Sequence, residues 1–181
     1  MEPEESHAMT TLSTERLTLR PFKETDFAIF RRLHSDPGMT AKMHRGALDA
    51  GEARELFAGY RKAFTTDKFG MRAVCWRESG EMIGECGLWW RETAGGYTVR
   101  YMLSRNWWGK GLTGEAAHAT VSDAFGALNL DTLYAVAMND NAHSVRALLS
   151  LGMTKIEENH RDIAGFGRYR LLRATFRQTP G

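Results

Sequence analysis

The 181-residue sequence is poor in cysteine, with two, and in proline, with four, and its formal charge is only +2. Cys75 and Cys86 fit neither a zinc-knuckle spacing nor a CxxC redox pair, so we expect reduced thiols in the core. A small net charge gives no broad field for nucleic acid or anionic lipid, which predicts no nucleic-acid partner. No apolar run approaches the ~20 residues of a membrane helix, so no membrane partner is expected.

The sequence also lacks the usual signals for metal binding and export. The histidines, His34 among them, show no HxxxH or HExxH spacing, so no metal is predicted. The start MEPEESHAMT has neither the basic nor the apolar part of a signal peptide, which favours the cytoplasm. We expect tails at residues 1–11 and 178–181 and one domain over residues 12–177, because the length suits one core and no linker or repeat is visible.

What is present is an ordered series of periodic segments. Alternating or β-rich runs predict strands at RLTLRPF, MRAVCW, MIGECGLWW, YTVRYML and TLYAVAM, and a last hairpin within residues 155–176. Apolar residues at helical spacing predict helices over residues 27–33, 56–64, 112–129 and 145–149. Asp49 is a candidate cap of the second helix, and DPG at 36–38 is expected to be a turn.

GKGLTG, residues 109–114, has the GxGxxG spelling of a dinucleotide-binding fingerprint. A Rossmann domain needs the first glycine directly after a strand and several βαβ units behind it, whereas residues 104–108 intervene here and too little chain follows. A P-loop fails because Gly111 follows Lys110. A glycine loop that opens a helix still turns N–H groups toward an anion, which favours a phosphate-bearing ligand over a plain connection.

RNWWGKGLTGEA resembles the Q/RxxGxG/A motif of the GNAT acyltransferases, in particular the yWGkGyatEA wording of the RimJ/RimL-like branch. STERLTLRPF with ETDF, IGECGL and NDNAHSVRALLSLGM are similar to other segments of that branch in the same order, so the resemblance covers roughly residues 12–176. It implies a GNAT-like α/β (α+β) fold, with a mixed, mostly antiparallel sheet flanked by helices. YTVRYML and TLYAVAM would be its two splayed parallel strands.

The resemblance implies an N-acetyltransferase with acetyl-CoA as cosubstrate, the pyrophosphate on the glycine loop and the pantetheine arm between the splayed strands. Trp107 and Trp108 are expected to brace the loop. Asn141 and Ser144 match an NxxS pattern of the branch, with helix capping as the alternative role. The residues expected to bind the coenzyme are Met102, Leu103, Ser104, Trp108, Gly109, Lys110, Gly111, Leu112, Thr113, Gly114, Asn141 and Ser144.

Acyl transfer to an amine needs a base for the amine and a proton for the leaving thiolate. Ser144 is the candidate donor to sulfur, because Leu148 stands where many members have a tyrosine. Thr98 stands where the family often has a glutamate, so Glu85 and Glu92 are the candidate bases, acting through a water. The alternative for both is an ordinary solvated charge.

Trp89 and Trp90 point in opposite directions on a strand, so one is expected in the core and the other in the acceptor pocket. The acceptor is a primary amine, either a protein N-terminus or a small molecule, that attacks the thioester directly. Two alternatives are a noncatalytic coenzyme A sensor and an NAD-binding oxidoreductase. A homodimer is compatible with this size of protein, but no surface stripe predicts one.

Overall fold

The computed structural model describes residues 11–43, 45–67, 69–126, 128–160 and 164–177. Apart from Thr11, the expected tails lie outside the described residues. The strands are β1 (Leu12–Ser13), β2 (Leu17–Arg20), β3 (Met71–Trp76), β4 (Met82–Arg91), β5 (Gly96–Leu103), β6 (Thr132–Met138), β7 (Thr154–Glu157) and β8 (Phe166–Leu172). The helices are α1 (Phe27–Ser35), α2 (Pro37–Thr40), α3 (Ala50–Thr66), α4 (Leu112–Gly126) and α5 (Ala142–Ser150).

All eight strands form one sheet in the order β1-β2-β3-β4-β5-β6-β8-β7. Every neighbouring pair is antiparallel except β5 and β6. A mostly antiparallel sheet with one parallel pair confirms the fold class expected from the sequence. It excludes the Rossmann alternative, which requires a mostly parallel sheet, and with it the structural basis for an NAD-binding oxidoreductase.

The parallel pair is joined at a single position. Thr98 on β5 pairs with Tyr134 on β6, and beyond this point the two strands separate. β6 stays in register with β8 along its whole length instead. The expected splay is therefore confirmed. Because α4 and α5 each follow one of these strands, their N-termini lie at the same edge of the sheet, beside the opening.

Helices cover both faces of the sheet. On one face, α1 and α3 pack through an aromatic cluster that includes Phe22, Phe30, Phe57 and Tyr60. On the other face, α4 and α5 pack on leucine, valine and alanine side chains. Fully burying one large apolar side chain is worth about 1.5–3 kcal/mol, so both layers hold firmly to the sheet.

Both cysteines are free and buried, as expected. Cys75 belongs to the α1/α3 core and Cys86 to the α4/α5 core. Burial raises the pKa of the Cys86 thiol to about 12 and also raises the pKa of Cys75. Both side chains therefore stay protonated and unreactive at neutral pH.

Local signals place the helix starts. Asp49 caps α3 as expected: its carboxylate accepts from Glu52 N at 2.8 Å, and the Glu52 side chain accepts from Asp49 N at 3.0 Å. The DPG segment is a correction, because it forms the short helix α2 rather than a turn. Asp36 accepts from Gly38 N at 2.8 Å, and Pro37 takes the first helical position, where no backbone N–H is needed.

Candidate active site

A cavity of about 680 Å³ passes through the sheet where β5 and β6 separate. It is lined by residues 99–101 of β5 and 135–137 of β6. On the α1 side it reaches His34 and Trp89, and on the α5 side it reaches Ser144. Its volume is in the range of small-molecule sites. The slot expected between the two strands is therefore present and connects the two faces of the sheet.

The loop between β5 and α4 presents a run of unbonded backbone amides. The N–H groups of residues 109–114 donate to no acceptor in the described chain, and the first bond of α4 runs from Glu115 N to Gly111 O (3.2 Å). Gly109 (φ +74°) and Gly111 (φ +76°) are left-handed, a conformation that glycine adopts without a steric penalty. Free amides at a helix N-terminus form an anion-binding site.

Trp108 does not extend this run. Its N–H donates to Arg105 O at 3.0 Å, which closes the short 3-10 turn before the loop. Its indole Nε1 donates to Leu103 O at 2.6 Å. Contrary to expectation, the Trp108 amide is not available to a diphosphate, because it is used inside the chain.

Trp107 braces the loop, as expected. Its ring packs on Trp76 of β3 with centroids 4.9 Å apart. The Lys110 ammonium lies 4.8 Å from the centroid of the Trp107 ring, an arrangement that cation–π attraction favours. The loop is thus fixed to the sheet by aromatic packing, and the Lys110 side chain has a partner within the protein.

A clamp from the connection between β1 and β2 holds the loop and the first turn of α4. Arg16 donates Nε to Glu115 Oε2 at 2.8 Å and NH1 to Lys110 O at 3.0 Å. Thr14 Oγ1 and Arg16 N also donate to Glu115. Burial alone would raise the pKa of Glu115, but the hydrogen bonds from Thr14 and Arg16 outweigh it and lower that pKa. Arg16 and Glu115 are 99 positions apart, so no local sequence pattern indicates this contact.

The backbone groups of β5 that face the slot can be assigned from strand geometry. In an antiparallel pair, alternate residues turn their N–H and C=O groups toward the partner strand. Ser104 N donates to Ile83 O on β4 at 2.8 Å, so Met102 faces β4 as well, whereas Tyr101 and Leu103 face the β6 side. The expectation that Met102 and Ser104 offer backbone groups to the coenzyme is corrected. Those of Tyr101 and the N–H of Leu103 are open to the slot.

Asn141 and Ser144 lie at the start of α5, on the cavity wall. Asn141 Oδ1 accepts from Ser144 N at 3.2 Å, so Asn141 is the N-cap of the helix, the alternative role considered for it. Ser144 Oγ lies 3.1 Å from the Tyr101 hydroxyl, which also donates to Ser144 O at 3.0 Å. Burial raises the pKa of the Tyr101 phenol, which therefore keeps its proton at neutral pH. The sequence did not identify this tyrosine.

A buried histidine–carboxylate pair lies on the α1 side. His34 Nε2 and Glu85 Oε2 are 3.1 Å apart, and each side chain is 2% exposed. His34 lines the cavity. Thr98, at the position where a glutamate is common, donates its hydroxyl to Trp89 O at 2.8 Å and carries no acid–base group. A buried carboxylate is therefore present on β4 and not at Thr98 on β5, and beside it α1 places an imidazole that the sequence did not identify.

Two expected site residues lie outside the cavity. Glu92 is exposed at the start of a 3-10 turn after β4 and does not line the cavity, so a role as base is not supported. Trp90 is 59% exposed and packs edge-on against Tyr97. Trp89 is the half-buried tryptophan on the cavity wall, and it contacts the Tyr60 ring at 4.9 Å.

The family model for the acetyltransferase (GNAT) domain matches residues 16–154. The chain belongs to the GNAT acetyltransferase family. It is 32% identical over 149 residues to the uncharacterized N-acetyltransferase p20 of Bacillus licheniformis, a match that covers 81% of this chain and 84% of p20. An acetyltransferase from Agrobacterium tumefaciens str. C58 has a TM-score of 0.82 at 26% identity, over 94% of this chain and 99% of that one.

A spermidine N-acetyltransferase from Vibrio cholerae, solved with CoA and spermine, has a TM-score of 0.75 over 90% of this chain and 98% of that one. Its identity of 16% shows a shared fold alone. The GNAT protein described here is an N-acetyltransferase, and enzymes of this family use acetyl-CoA. Among the described residues, no cluster of three or more His, Cys, Asp or Glu could hold a metal, and no described helix is long and apolar enough to cross a membrane.

Proposed function

We propose that this GNAT protein acetylates a primary amine by direct attack of the amine on acetyl-CoA, in the manner of the RimJ/RimL-like branch. One observation carries the proposal: the cavity joins the cofactor side and the α1 side of the sheet through the β5–β6 slot, and a buried acid–base pair lies on its far wall. An amine in the α1 half of this cavity has a direct path to a thioester placed in the slot.

The residues present fit acetyl-CoA. The free amides of residues 109–114, with left-handed glycines at 109 and 111, suit a diphosphate. The open backbone groups of Tyr101 and the N–H of Leu103 suit the amides of the pantetheine arm, in the way an added strand binds a sheet edge. When bound, acetyl-CoA supplies the activated acetyl group, and the chain supplies orientation and proton transfer.

His34 and Glu85 are the proposed base. The Glu85 carboxylate accepts the Nε2 proton of His34, and this leaves Nδ1 as the basic nitrogen. The amine must lose one proton as its nitrogen forms the new bond to carbon, and Nδ1 takes that proton directly or through one water. Glu85 is a positioning residue here, because His34 is the member of the pair on the cavity wall. Glu92 is dropped as a base because it is exposed and outside the cavity.

Tyr101 and Ser144 are the proposed source of the proton for the departing thiolate. The Ser144 hydroxyl is on the cavity wall, and the Tyr101 phenol is 3.1 Å behind it. Ser144 gives its proton to sulfur as the carbon–sulfur bond breaks, while the Tyr101 hydroxyl turns from Ser144 O to Ser144 Oγ and passes its own proton to it. Water in the cavity, which Tyr101 also lines, then returns a proton to the phenol. Tyr101 thus supplies the phenol that Leu148, at the position where many members of the family have a tyrosine, does not supply.

Most of the acceleration is expected from orientation. Holding two reactants in position is worth about 7–11 kcal/mol, more than one acid or base contributes. This is why two hydrogen-bonded pairs on opposite sides of the slot are enough for the proposed reaction.

The decisive experiment is thiol release from acetyl-CoA with a panel of amines, combined with calorimetric binding of coenzyme A. Turnover with at least one amine, and its loss in His34→Gln, supports the proposed enzyme. Coenzyme binding with no turnover for any amine would favour a noncatalytic sensor. Failure to bind coenzyme A would overturn the proposal altogether.

Three finer assignments belong to the same proposal: the RimJ/RimL-like branch, a cytoplasmic location and a homodimer. Mass measurement by light scattering tests the dimer, and fractionation of the producing cell tests the location. Ser144→Ala, which should lower turnover more than coenzyme A binding, tests the NxxS pattern, one of the motifs on which the branch assignment rests.

A further inference from the structure

Two arginines on neighbouring strands project into the α1 half of the cavity. Arg91 on β4 and Arg100 on β5 both line it. In the register of these strands, Arg100 stands opposite Gly87 and Arg91 opposite Gly96, with Trp89 between them on the same face. Each arginine faces a glycine, so neither is crowded by a side chain across the ladder. The pair brackets Trp89, the aromatic wall of the acceptor pocket.

Neither guanidinium has a hydrogen-bond or carboxylate partner among the residues that the structure describes. Both side chains are nevertheless half-buried. Burial, and then the like charge of Arg100, lower the pKa of Arg91. Two partly desolvated positive charges on one cavity wall repel each other, and an anion bound by both offsets that repulsion.

The other charges around this half of the cavity are already neutralised. Lys42 is paired with Asp140 and Arg45 with Glu52. The Glu85 carboxylate is paired with His34. The two arginines are thus the charges on this wall that lack a counter-ion in the described chain.

A third group near the arginines has an open hydrogen-bonding position. The Tyr60 hydroxyl is fully buried and has no partner in the described chain. Its electrostatic neighbours are Arg100, Glu85 and Arg91, and Tyr60 packs against the Trp89 ring. Positive charges and an unsatisfied hydroxyl therefore surround one side of Trp89.

We propose that Arg91 and Arg100 form a carboxylate-binding subsite, so that the acceptor is a small primary amine that carries a carboxylate, such as a free amino acid. This inference rests on the proposed function and names its substrate class. Arginine binds carboxylates through two parallel hydrogen bonds, which fixes both position and orientation. Such a fixed carboxylate lets the amine of the same molecule lie toward His34 and the slot.

The remaining lining fits the same class. Met43, Leu48, Leu56 and Trp89 give this half of the cavity an apolar wall beside the arginines. An amino acid with an apolar side chain binds the arginines through its carboxylate and packs its side chain on this wall. A polyamine is disfavoured, because unpaired arginines repel a second ammonium group instead of binding it.

The test compares each free L-amino acid with its own amide as acceptor in thiol release. The amide lacks the negative charge, and its amine is the weaker base, so intrinsic reactivity at neutral pH favours the amide. We expect the best amino acid to exceed its amide in kcat/KM by about tenfold or more, the usual gain from a hydrogen-bonded ion. Spermidine serves as the cationic comparison and is expected to be the poorest acceptor.

The variants Arg91→Gln and Arg100→Gln keep much of the side-chain volume and remove the charge. Each is expected to lower kcat/KM for the amino acid about tenfold through KM, and to lower kcat/KM for the amide much less, because the amide carries no charge for the arginine to neutralise. Arg91→Lys restores part of the loss, because charge remains without the two-pronged geometry. Arg31→Gln, on the exposed side of α1, is the matched control and should leave kcat/KM unchanged for both substrates.

A second readout does not depend on turnover. The N-acetyl derivative of the best amino acid, or each free amino acid where no amine is turned over, should raise the melting temperature of the wild type more than the matching amide. The double variant Arg91→Gln/Arg100→Gln should lose this difference. Equal stabilisation by acid and amide, or equal loss of both activities in the variants, would overturn the subsite. Turnover of amides or polyamines in preference to amino acids would overturn it and leave the proposed acetyltransferase intact.

Discussion

On the α4 side of the sheet, the groups that a ligand can reach belong mostly to the backbone, whereas on the α1 side they belong to side chains. The loop at residues 109–114 offers free amides, and β5 offers its strand edge. The α1 side offers Arg91, Arg100 and the His34–Glu85 pair. In the proposed function, the α4 side binds the coenzyme mainly through backbone groups, and the α1 side selects the acceptor through side chains.

This difference implies different responses to mutation. A backbone site depends on conformation, so it tolerates changes of side chain and fails when a left-handed position receives a Cβ atom. A side-chain site fails when one functional group is lost, even if the backbone is unchanged. Substitutions on the two sides should therefore separate coenzyme binding from amine chemistry.

Gly111→Glu should have the largest effect and should impair coenzyme A binding without changing the acceptor side. Its φ of +76° disfavours any side chain, and the new carboxylate repels a diphosphate. Losing two or three amide–phosphate bonds should weaken coenzyme A binding on the order of 100-fold or more, as measured by calorimetry. Gly80→Glu is the matched control, because Gly80 has φ +74° and open space in the β3–β4 turn. Wild-type affinity in Gly111→Glu would contradict the assignment of the loop.

His34→Gln should have the next largest effect and should impair the reaction of the amine without changing coenzyme A binding. Loss of a general base lowers kcat on the order of 100-fold, while coenzyme A affinity stays at the wild-type value. An acceptor whose amine is already neutral at the assay pH gives up one proton, whereas a protonated amine gives up two, so the neutral amine should lose less activity, which a merely structural defect would not produce. The kcat of Glu85→Gln should lie between the kcat of the wild type and that of His34→Gln. Equal losses with neutral and protonated amines would remove His34 from the mechanism.

The sequence predicted the geometry of the glycine loop better than the arrangement of side chains on the α1 side, for a physical reason. A loop that depends on glycine conformation leaves a mark in consecutive letters, and GKGLTG carries it. The same holds for the capping residues Asn141 and Asp49. The errors there are local: Trp108 closes a turn, and the open strand edge is at Tyr101 and Leu103 rather than Met102 and Ser104.

The acceptor side is assembled from residues far apart in the chain. His34 and Glu85 are separated by 51 positions, and only the packing of α1 on β4 brings them together. One signal was available, since His34 follows the buried Phe30 by one helical turn, and a polar residue on an apolar stripe requires a partner. Glu92 and Trp90 were misleading because the strand ends just before Glu92, and the register turns Trp90 outward.

Tyr101→Phe tests the point where the two sides meet, and a smaller effect is expected. Burial raises the pKa of the phenol, so it is protonated at neutral pH at the start of each turnover, and removal of its hydroxyl leaves Ser144 without the group that passes it a proton. We expect kcat to fall roughly tenfold, with little change in either KM. The kcat of Ser144→Ala should fall by a similar factor. The kcat of the double variant should fall by no more than the larger of the two single losses. Tyr97→Phe is the control, and independent, additive losses would contradict a shared pathway.

Glu115→Gln should give the smallest effect and acts on the coenzyme side through stability. Because hydrogen bonds lower the pKa of Glu115 below its ordinary 4.5, its stabilisation is present above that pH and disappears as the pH falls through the lowered value. With Arg16 partly in solvent, the contribution is at most about 1 kcal/mol, or ~2–4 °C in melting temperature at pH 7.

The difference between Glu115→Gln and wild type should narrow as melting is repeated at pH values below 4.5, since the wild-type carboxyl then becomes neutral too. Glu55→Gln, an exposed position on α3, should melt like wild type at every pH. A difference that stays constant with pH would mean that Glu115 acts by packing rather than by charge. In that case the packing of Trp107 on Trp76 holds the loop, and Trp76→Ala is the substitution expected to free the loop from the sheet.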